Sequence, residues 1–292
     1  MRAQARLPQQ VQGEQPGEAG ADDGHVEVHH RILMDGIPRK TLNDGRSVPQ
    51  FGLGVYHVPP ADTARVVATA LELGYRHVDT AQGYGNEREV GEGIRAAGVP
   101  REDVWITTKL DDGRHGDPRA ALAESLERLG TDHVDLFLIH RPGDRDVDVW
   151  RALIEARDDG AARSIGLSNF SRRGVRALID ATGVVPAVHQ IRANPRTPHR
   201  AMQAFHRRHG IATEAWGPLR EGRLIAHPTA RRVADRVDAT PAQVLLRWHL
   251  DRGLIAFPKT TSPERLAENL GVAGVRLAAR DLRAIDRMRR RP

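Results

Sequence analysis

The stretch YRHVDTAQGYGNEREVGEG, residues 75–93, decides the fold. Residues 77–80 (HVDT), with β-branched Val78 and Thr80, are predicted to form a short strand, and residues from 87 onward have the spacing of an amphipathic helix. A short loop that contains glycine joins these two predicted elements. A strand, a tight loop and a helix in this order form one βα unit, which is the repeating piece of a parallel sheet.

The same alternation continues on both sides of this stretch. Asn-Asp-Gly at residues 43–45 predicts a hairpin that closes the bottom of the sheet. The predicted strands span residues 51–55, 77–80, 104–107, 134–139, 164–167, 187–191, 212–215 and 254–257. The predicted helices lie near residues 62–73, 87–97, 118–129, 147–159, 172–182, 199–209, 240–251 and 263–270, with a final helix near 279–289. Eight strands that alternate with helices predict an α/β fold, the (β/α)8 TIM barrel, in a single domain.

Length and composition agree with one enzyme-sized domain. The chain has 292 residues, of which 39% are hydrophobic, so it can bury one sizeable core. It contains no cysteine, which excludes disulfide bonds, thiolate zinc sites and a cysteine nucleophile. Any redox chemistry therefore has to come from a bound cofactor.

The charge is positive but dispersed. The formal net charge is +6 and the sequence pI is about 10.3, yet basic and acidic residues are mixed along the whole chain. No basic stripe of the kind that binds nucleic acid is present, so we expect no nucleic-acid partner. Only Lys40, Lys109 and Lys259 are lysines among 44 basic residues, and a lysine retained in such a chain is a candidate for a role that needs a compact ammonium.

The start of the chain differs from the rest. Residues 1–38 are polar and without periodicity, and Met1 is not followed by an apolar signal core. We predict a disordered tail over 1–38 and the barrel over 39–292. No apolar run approaches the roughly 20 residues that span a bilayer, so we expect a cytoplasmic protein with no membrane partner. We also expect a monomer.

Unusual polar or aromatic side chains coincide with the predicted strand ends. In a βα barrel, the carboxyl ends of the strands and the loops that follow them build the active site. A single polar residue at the end of a strand is common, because a loop begins at that point. The whole set, however, indicates an active site at the face of the barrel formed by the carboxyl ends of the strands. The residues at the ends of strands two to eight are Asp79, Lys109, His140, Ser168, Asn169, Gln190, Trp216 and Lys259.

Four residues suggest proton transfer to a carbonyl. Tyr84 is a candidate general acid if the pKa of its phenol, about 10 in water, is lowered toward working pH. The ammonium of Lys109 is expected to lower it, and Asp79 to hold Lys109 in place. His140 is expected to orient the carbonyl of the substrate or share the proton, while hydride arrives from a nicotinamide.

These segments resemble those of the aldo-keto reductases over residues 41–288. The resemblance is carried by GYRHVDTA and YGNE around Tyr84, followed in the family's order by WITTKL, DLFLIHRP, IGLSNF, VHQIRANP, EAWGPL and FPKTTSPERLAENL. It implies a catalytic tetrad of Asp79, Tyr84, Lys109 and His140. It also implies NADPH-dependent reduction of aldehydes, ketones or keto acids, with Tyr84 as the proton donor.

The resemblance implies a set of cofactor contacts as well. Lys259 and Arg265, with a hydroxyl between them near a helix start, suit the 2′-phosphate of NADPH, so NADPH is expected in preference to NADH. No GxGxxG follows the first strand, so the dinucleotide is not expected to bind as in a Rossmann fold. The implied cofactor-binding residues are Gly54, Val55, Tyr56, Asp79, Ser168, Asn169, Gln190, Trp216, Gly217, Leu219, Lys259, Thr260, Arg265, Glu268 and Asn269.

Several positions depart from the family pattern. Arg141 stands where many relatives have tryptophan, so the expected substrate wall of Tyr56, His140 and Arg141 contains a cation and favours polar or acidic carbonyls. His189 replaces the usual asparagine before Gln190, and Gly217 replaces a common serine. The chain ends at Pro292, where many relatives continue into a loop over the substrate, so we expect an open pocket.

Two other functions are compatible with parts of this pattern. The first is an NADP-binding redox sensor or regulatory subunit on the same fold with little turnover. The second is a metal-dependent barrel hydrolase that uses His77, Asp79 and His140. The second is disfavoured because no H-x-H pair or carboxylate cluster with ligand spacing is present and Lys109 would repel a cation, so we expect no metal.

Overall fold

Eight parallel strands form the centre of the molecule in the computed structural model, which describes residues 37–289. Each strand pairs with the next in chain order. A parallel bridge joins Phe51 to Ala256, and Gly52 N donates to Ala256 O at 3.1 Å, so the last strand returns to the first. The strands are β3 (Leu53–Gly54), β4 (His77–Asp79), β5 (Trp105–Leu110), β6 (Val134–Ile139), β7 (Ala162–Ser168), β8 (Val188–Arg192), β9 (Ala212–Trp216) and β10 (Ile255–Ala256). The predicted (β/α)8 barrel is confirmed.

An antiparallel hairpin covers one end of the barrel, as predicted. It consists of β1 (Arg39–Thr41) and β2 (Ser47–Pro49). Leu42 and Val48 of the hairpin are buried in a cluster with side chains of the barrel strands. Asn43 Nδ2 donates to Pro186 O at 3.0 Å, just before β8, so the hairpin closes the amino-terminal ends of the strands.

Ten α-helices lie around the sheet within residues 37–289. They are α1 (Pro60–Glu72), α2 (Glu87–Ala96), α3 (Pro118–Leu129), α4 (Asp146–Asp158), α5 (Arg172–Thr182), α6 (Arg200–His209), α7 (Pro228–Val237), α8 (Pro241–Asp251), α9 (Pro263–Leu270) and α10 (Ala279–Asp286). Local sequence explains several helix starts: Ser171, Thr240 and Ser262 each cap a helix by accepting a backbone N–H.

Helix α7 lies where the sequence predicted only a connection. The region is rich in arginine, which hides a short apolar stripe of Ala230, Val233 and Ala234. The side chain of His227 accepts the N–H of Thr229, and Pro228 occupies the first turn, so the start of the helix is well specified. The chain therefore forms two helices, α7 and α8, between β9 and β10.

The described residues begin two positions before the hairpin. Of the predicted tail over 1–38, the structure describes Ile37 and Pro38. Ile37 is half-buried and Pro38 O accepts the N–H of Gln50 at 2.9 Å. The prediction of disorder for residues 1–36 lies outside the described residues. Within residues 37–289, no helix combines the length and the apolar character that crossing a bilayer requires.

Candidate active site

The predicted catalytic residues lie at the carboxyl ends of neighbouring strands. Asp79 is the last residue of β4, and Lys109 lies near the end of β5. Tyr84 follows β4 in a short 3₁₀ helix, Gln82–Tyr84, that is held by two hydrogen bonds from Gln82 Nε2 to Ala121 O and Ser125 Oγ. His140 directly follows β6. The barrel thus brings together four residues that are spread over more than 60 positions of the sequence.

Lys109 is the centre of the site. Its ammonium is fully buried and donates to Asp79 Oδ1 at 2.8 Å, Thr80 O at 2.7 Å and Tyr84 OH at 3.2 Å. All three N–H groups therefore have an oxygen acceptor. Burial is the largest single influence and lowers the pKa of Lys109, but the charges and hydrogen bonds of Asp79 and Tyr84 together outweigh it, so the net pKa is raised. Lys109 thus carries its positive charge at neutral pH.

The pKa of Tyr84 differs from the sequence-based expectation. Burial raises the pKa of the Tyr84 phenol by more than the charge of Lys109 lowers it, so the net pKa lies above the usual value. The expected lowering of this pKa is therefore wrong. The sequence shows that a lysine is nearby but not how deeply the phenol is buried. Tyr84 accordingly keeps its proton at neutral pH and is able to donate it.

His140 and Tyr56 flank the phenol. The rings of Tyr84 and His140 meet edge to face with centroids 5.8 Å apart, and the ring of Tyr56 lies 4.9 Å from that of Tyr84. Burial, with a contribution from Lys109, lowers the pKa of His140 to about 4. The imidazole is therefore neutral at pH 7 and has one N–H to donate beside the phenol.

The residues expected to bind the nicotinamide carboxamide form one polar network. Asn169 Nδ2 donates to Ser168 Oγ at 2.9 Å and to His140 O at 3.2 Å, while Trp216 Nε1 donates to Asn169 Oδ1 at 3.0 Å. Asn169 has φ of 63°, a left-handed conformation that asparagine tolerates better than most residues. Arg192 lies over the Trp216 ring, 5.5 Å from its centroid. The donor and acceptor groups that suit a carboxamide therefore lie next to the tetrad.

Gln190 connects this network to the ion pair. Its Nε2 donates to Asp79 Oδ2 at 2.8 Å and to Glu214 Oε2 at 3.0 Å. Sequence reasoning did not single out Glu214, although it is fully buried and its pKa is raised to about 8 by burial and by the neighbouring Asp79. Its one signal in the sequence is a carboxylate in the middle of the otherwise uncharged strand ATEAW.

The predicted phosphate-binding residues lie together at the end of β10 and the start of α9. Lys259 and Arg265 are exposed, and neither forms an ion pair with any residue in 37–289. Ser262 caps α9 by accepting the N–H of Arg265 at 3.2 Å. Two uncommitted cations beside a capped helix start fit a phosphate monoester. Thr260 is buried and its Oγ1 accepts the N–H of Ser262.

The remaining residues that were predicted to bind the cofactor also take part in packing. Glu268 Oε1 accepts the hydroxyl of Thr240 at 2.6 Å and so ties α9 to α8, while Asn269 is buried. Gly54 N donates to Pro258 O, and a Cβ on Gly54 would lie 3.0 Å from Phe257 O, so a larger residue would crowd the backbone here. Val55 is buried next to it. Gly217 adopts φ of 63°, and Leu219 is half-buried against the core.

The third predicted member of the substrate wall, Arg141, lies at the rim. Its guanidinium is 64% exposed and its Nη1 is 3.7 Å from Asp112 Oδ2. This cation therefore lies at the edge of the site, held by one weak ion pair.

The geometry argues against the metal-hydrolase alternative. Both ring nitrogens of His77 are occupied, by Pro49 O at 3.2 Å and by Thr107 Oγ1 at 3.1 Å. Asp79 is held by Lys109 and Gln190. No group of three or more potential metal ligands is present within the described part of the chain.

Comparison with known proteins assigns the family. The model of the Aldo/keto reductase family matches residues 49–290. An aldo-keto reductase of Mycolicibacterium smegmatis is 47% identical over 253 residues, which cover 85% of this chain and 92% of that protein. The methylglyoxal reductase DkgA of Yersinia pestis is 42% identical over 86% of this chain and 92% of its own length. A solved structure of a Gox0644 mutant in complex with NADPH is 42% identical, with a TM-score of 0.83 over 86% of this chain and 93% of that chain. The chain therefore belongs to the aldo/keto reductase family of NADP-dependent oxidoreductases, which confirms the predicted family, enzyme class and cofactor.

Proposed function

We propose that this protein reduces small aldehydes, ketones and keto acids to alcohols with NADPH, and that Tyr84 is the proton donor. The observation that carries the proposal is the contact of Tyr84 OH with Lys109 Nζ at 3.2 Å, next to the neutral ring of His140. A protonated phenol, a buried ammonium and a neutral imidazole that converge on one space form a site for polarising and protonating a carbonyl oxygen.

The chain's own residues hold the cofactor in this proposal. Ser168, Asn169 and Gln190 bind the carboxamide, Trp216 supplies an aromatic face, and Lys259, Thr260 and Arg265 bind the 2′-phosphate. When bound, NADPH supplies a hydride to the carbonyl carbon. The residues next to the tetrad determine which face of the carbonyl group meets the hydride, and this positioning lowers the activation barrier of the reduction.

Proton transfer from Tyr84 completes the reduction. As negative charge develops on the carbonyl oxygen, the O–H bond of Tyr84 breaks and the proton moves to that oxygen. The phenolate that remains is stabilised by the adjacent ammonium of Lys109, which is itself held by Asp79. His140, neutral because its pKa is about 4, donates a hydrogen bond that orients the same oxygen.

The substrate class follows from the rim of the site and from the relatives. Tyr56 and Arg141 offer one aromatic face and one cation, which favour small polar or anionic carbonyls. Since DkgA proteins of Yersinia pestis and Escherichia coli are named methylglyoxal reductases, a small ketoaldehyde is the first substrate to test.

The test is NADPH oxidation with methylglyoxal, simple aldehydes, α-keto esters and diketo acids, for wild type and Tyr84→Phe. We expect Tyr84→Phe to bind NADPH normally and to lose about 10²- to 10⁴-fold in kcat/KM. Tyr75→Phe is the matched control, because the Tyr75 hydroxyl donates to Leu266 O at 3.0 Å and is not hydrogen-bonded to a tetrad residue, so its loss should leave kcat at saturating NADPH intact. Turnover that survives in Tyr84→Phe would disprove the proton-donor role. A wild type that binds NADPH without turning over any carbonyl would favour the redox-sensor alternative.

We infer in addition a monomeric, cytoplasmic protein without a nucleic-acid partner. Among residues 37–289, the one exposed large apolar side chain is Tyr56, which belongs to the proposed substrate wall. Stable dimers require apolar patches that cover several side chains. Light scattering after size exclusion tests the monomer.

A further inference from the structure

Glu214 is a buried carboxyl group to which the proposed mechanism assigns no role. It lies on β9 directly beside Gln190 of β8 in the register of the two parallel strands, so both side chains face the barrel interior. Its side chain is fully buried and contacts the tetrad only through Gln190. Buried carboxyl groups are costly for a fold unless they are paired, so an unpaired one at this place calls for a function.

The orientation of the Gln190 amide follows from its neighbours. Asp79 Oδ2 accepts at 2.8 Å, and the Asp79 carboxylate is held by Lys109, so the group of Gln190 that faces it has to be the nitrogen. The second N–H of the same nitrogen reaches Glu214 Oε2 at 3.0 Å. Both donors of the amide are thus used by carboxyl groups. Gln190 Oε1 accepts no hydrogen bond from any residue in the described range and remains available as an acceptor.

The charge of Glu214 follows from the groups that face it. Asp79 on β4 is a second carboxyl group linked to Glu214 by the shared Gln190 amide, and the ammonium of Lys109 on β5 donates to Asp79 and not to Glu214. Glu214 Oε1 has no hydrogen-bond partner among residues 37–289. One hydrogen bond does not compensate a fully buried carboxylate next to another carboxylate. The neutral acid avoids that charge at the smaller cost of one buried hydroxyl group without an acceptor.

We propose that Glu214 is a positioning residue: as an uncharged carboxylic acid, it accepts one N–H of Gln190 and keeps Gln190 Oε1 available to the carboxamide of the nicotinamide. This inference rests on the proposed function only in that Gln190 contacts the cofactor. Asp79 alone would hold one N–H of the amide and leave the other buried without a partner. The neutral state also leaves the Asp79–Lys109 pair undisturbed by a second negative charge.

The charge is tested on the cofactor-free protein by infrared difference spectroscopy. At neutral pH, Glu214→Gln should remove the carbonyl stretch of a protonated carboxylic acid from the spectrum of the wild type. Glu87→Gln is the matched control, because Glu87 is equally buried but its Oε2 pairs with Arg128 at 2.7 Å, so only carboxylate bands should disappear. A spectrum in which Glu214→Gln removes carboxylate bands overturns the uncharged assignment.

The positioning role is tested by NADPH binding measured calorimetrically. Glu214→Leu should weaken binding about tenfold, the size of one lost hydrogen bond, while Glu214→Gln, which keeps a carbonyl acceptor, should stay within about twofold of wild type. In the background of Gln190→Leu, Glu214→Leu should have no further effect. An additive effect in the double variant, or normal binding by Glu214→Leu, overturns the role. If Glu214→Leu does not fold, Glu214→Met replaces it in the same comparison of single and double variants with Gln190→Leu.

These readouts are separate from turnover. The infrared measurement needs neither cofactor nor substrate, and calorimetry needs no reaction. A wild type that fails to reduce any carbonyl would therefore contradict the proposed function without deciding the role of Glu214.

Discussion

The two ends of the barrel interior both bury polar side chains, but they satisfy them to different degrees. At the amino-terminal end, His77 uses both ring nitrogens, and Asp135 Oδ2 accepts from Ile106 N and from Arg101 Nη2, each at 2.9 Å. At the carboxyl end, Glu214 Oε1 has no partner within residues 37–289, and the phenol of Tyr84 lies beside the exposed ring of Tyr56. The side chains of His77 and Asp135 are thus held by protein partners, whereas the proposed site leaves one carboxyl oxygen of Glu214 without one.

The largest difference in activity between the two ends should be seen when the cation that binds a buried carboxylate is replaced, Lys109 at the carboxyl end and Arg101 at the amino-terminal end. Lys109→Met removes the ammonium beside Tyr84 and leaves the Asp79 carboxylate buried with Gln190 as its remaining side-chain donor. We expect kcat to fall about 10²- to 10⁴-fold, because Tyr84 loses the charge that stabilises its phenolate. Stability should fall by about 3–5 kcal/mol, as for other broken buried ion pairs. Steady-state kinetics at saturating NADPH and urea unfolding measure the two effects.

Arg101→Met is the matched change at the other end. The guanidinium of Arg101 ties Val104 O, His133 O and Asp135 together. Its loss should cost about 1–3 kcal/mol of stability and leave kcat unchanged, because Asp135 retains the N–H of Ile106. If Arg101→Met lowered kcat as strongly as Lys109→Met, the division of labour between the two ends would be wrong.

Acid should weaken the fold through its buried histidines, which carry no role in the reaction. Burial lowers the pKa of His77 and His189 to about 3 and that of His206 to about 4. In the unfolded chain these rings bind a proton below about pH 6.5, so their stabilising effect is complete above that pH and is lost as the pH falls toward the folded values. From pH 7 to pH 5, each should cost roughly 1–2 kcal/mol.

The measurement is urea unfolding at both pH values for wild type, His189→Asn and His57→Asn. His189 Nδ1 contacts His206 Nε2 at 2.8 Å, and its Nε2 accepts the N–H of Phe170, so its neutral form is built into the fold. His189→Asn should reduce the loss of stability between pH 7 and pH 5 by the contribution of one histidine, roughly 1–2 kcal/mol. His57 is exposed, and His57→Asn should leave the loss unchanged. An unchanged loss in His189→Asn would contradict the assignment.

The sequence predicts the barrel and the ion pair for a physical reason. Strand and helix periodicity are local properties, and in a parallel barrel all carboxyl ends meet at one face, so strand order alone predicts that Asp79 and Lys109 lie together. The same reasoning fails for α7, where arginines obscure the apolar stripe.

Properties that depend on contacts between distant strands are not readable from local patterns. Glu214 becomes significant only because β8 and β9 align it with Gln190, and nothing in ATEAW specifies that register. The pKa of Tyr84 likewise depends on the depth of burial, which outweighs the nearby charge of Lys109. Sequence patterns therefore predict which residues lie together at the site, but they do not predict the protonation states of these residues.

The smallest effect should come from the rim of the carboxyl end, where solvent screens charges. Arg141 is 64% exposed and forms a weak ion pair with Asp112 at 3.7 Å. Arg141→Gln should therefore raise KM for an anionic keto acid by only about two- to fivefold. KM for neutral methylglyoxal should not change. Asp112→Asn should shift the same KM in the opposite direction, because it releases the Arg141 cation from its partner. Parallel assays of both substrates at low and physiological salt measure this, and the difference should shrink as salt rises. Equal effects on both substrates would show that Arg141 acts on the shape of the rim and not through its charge.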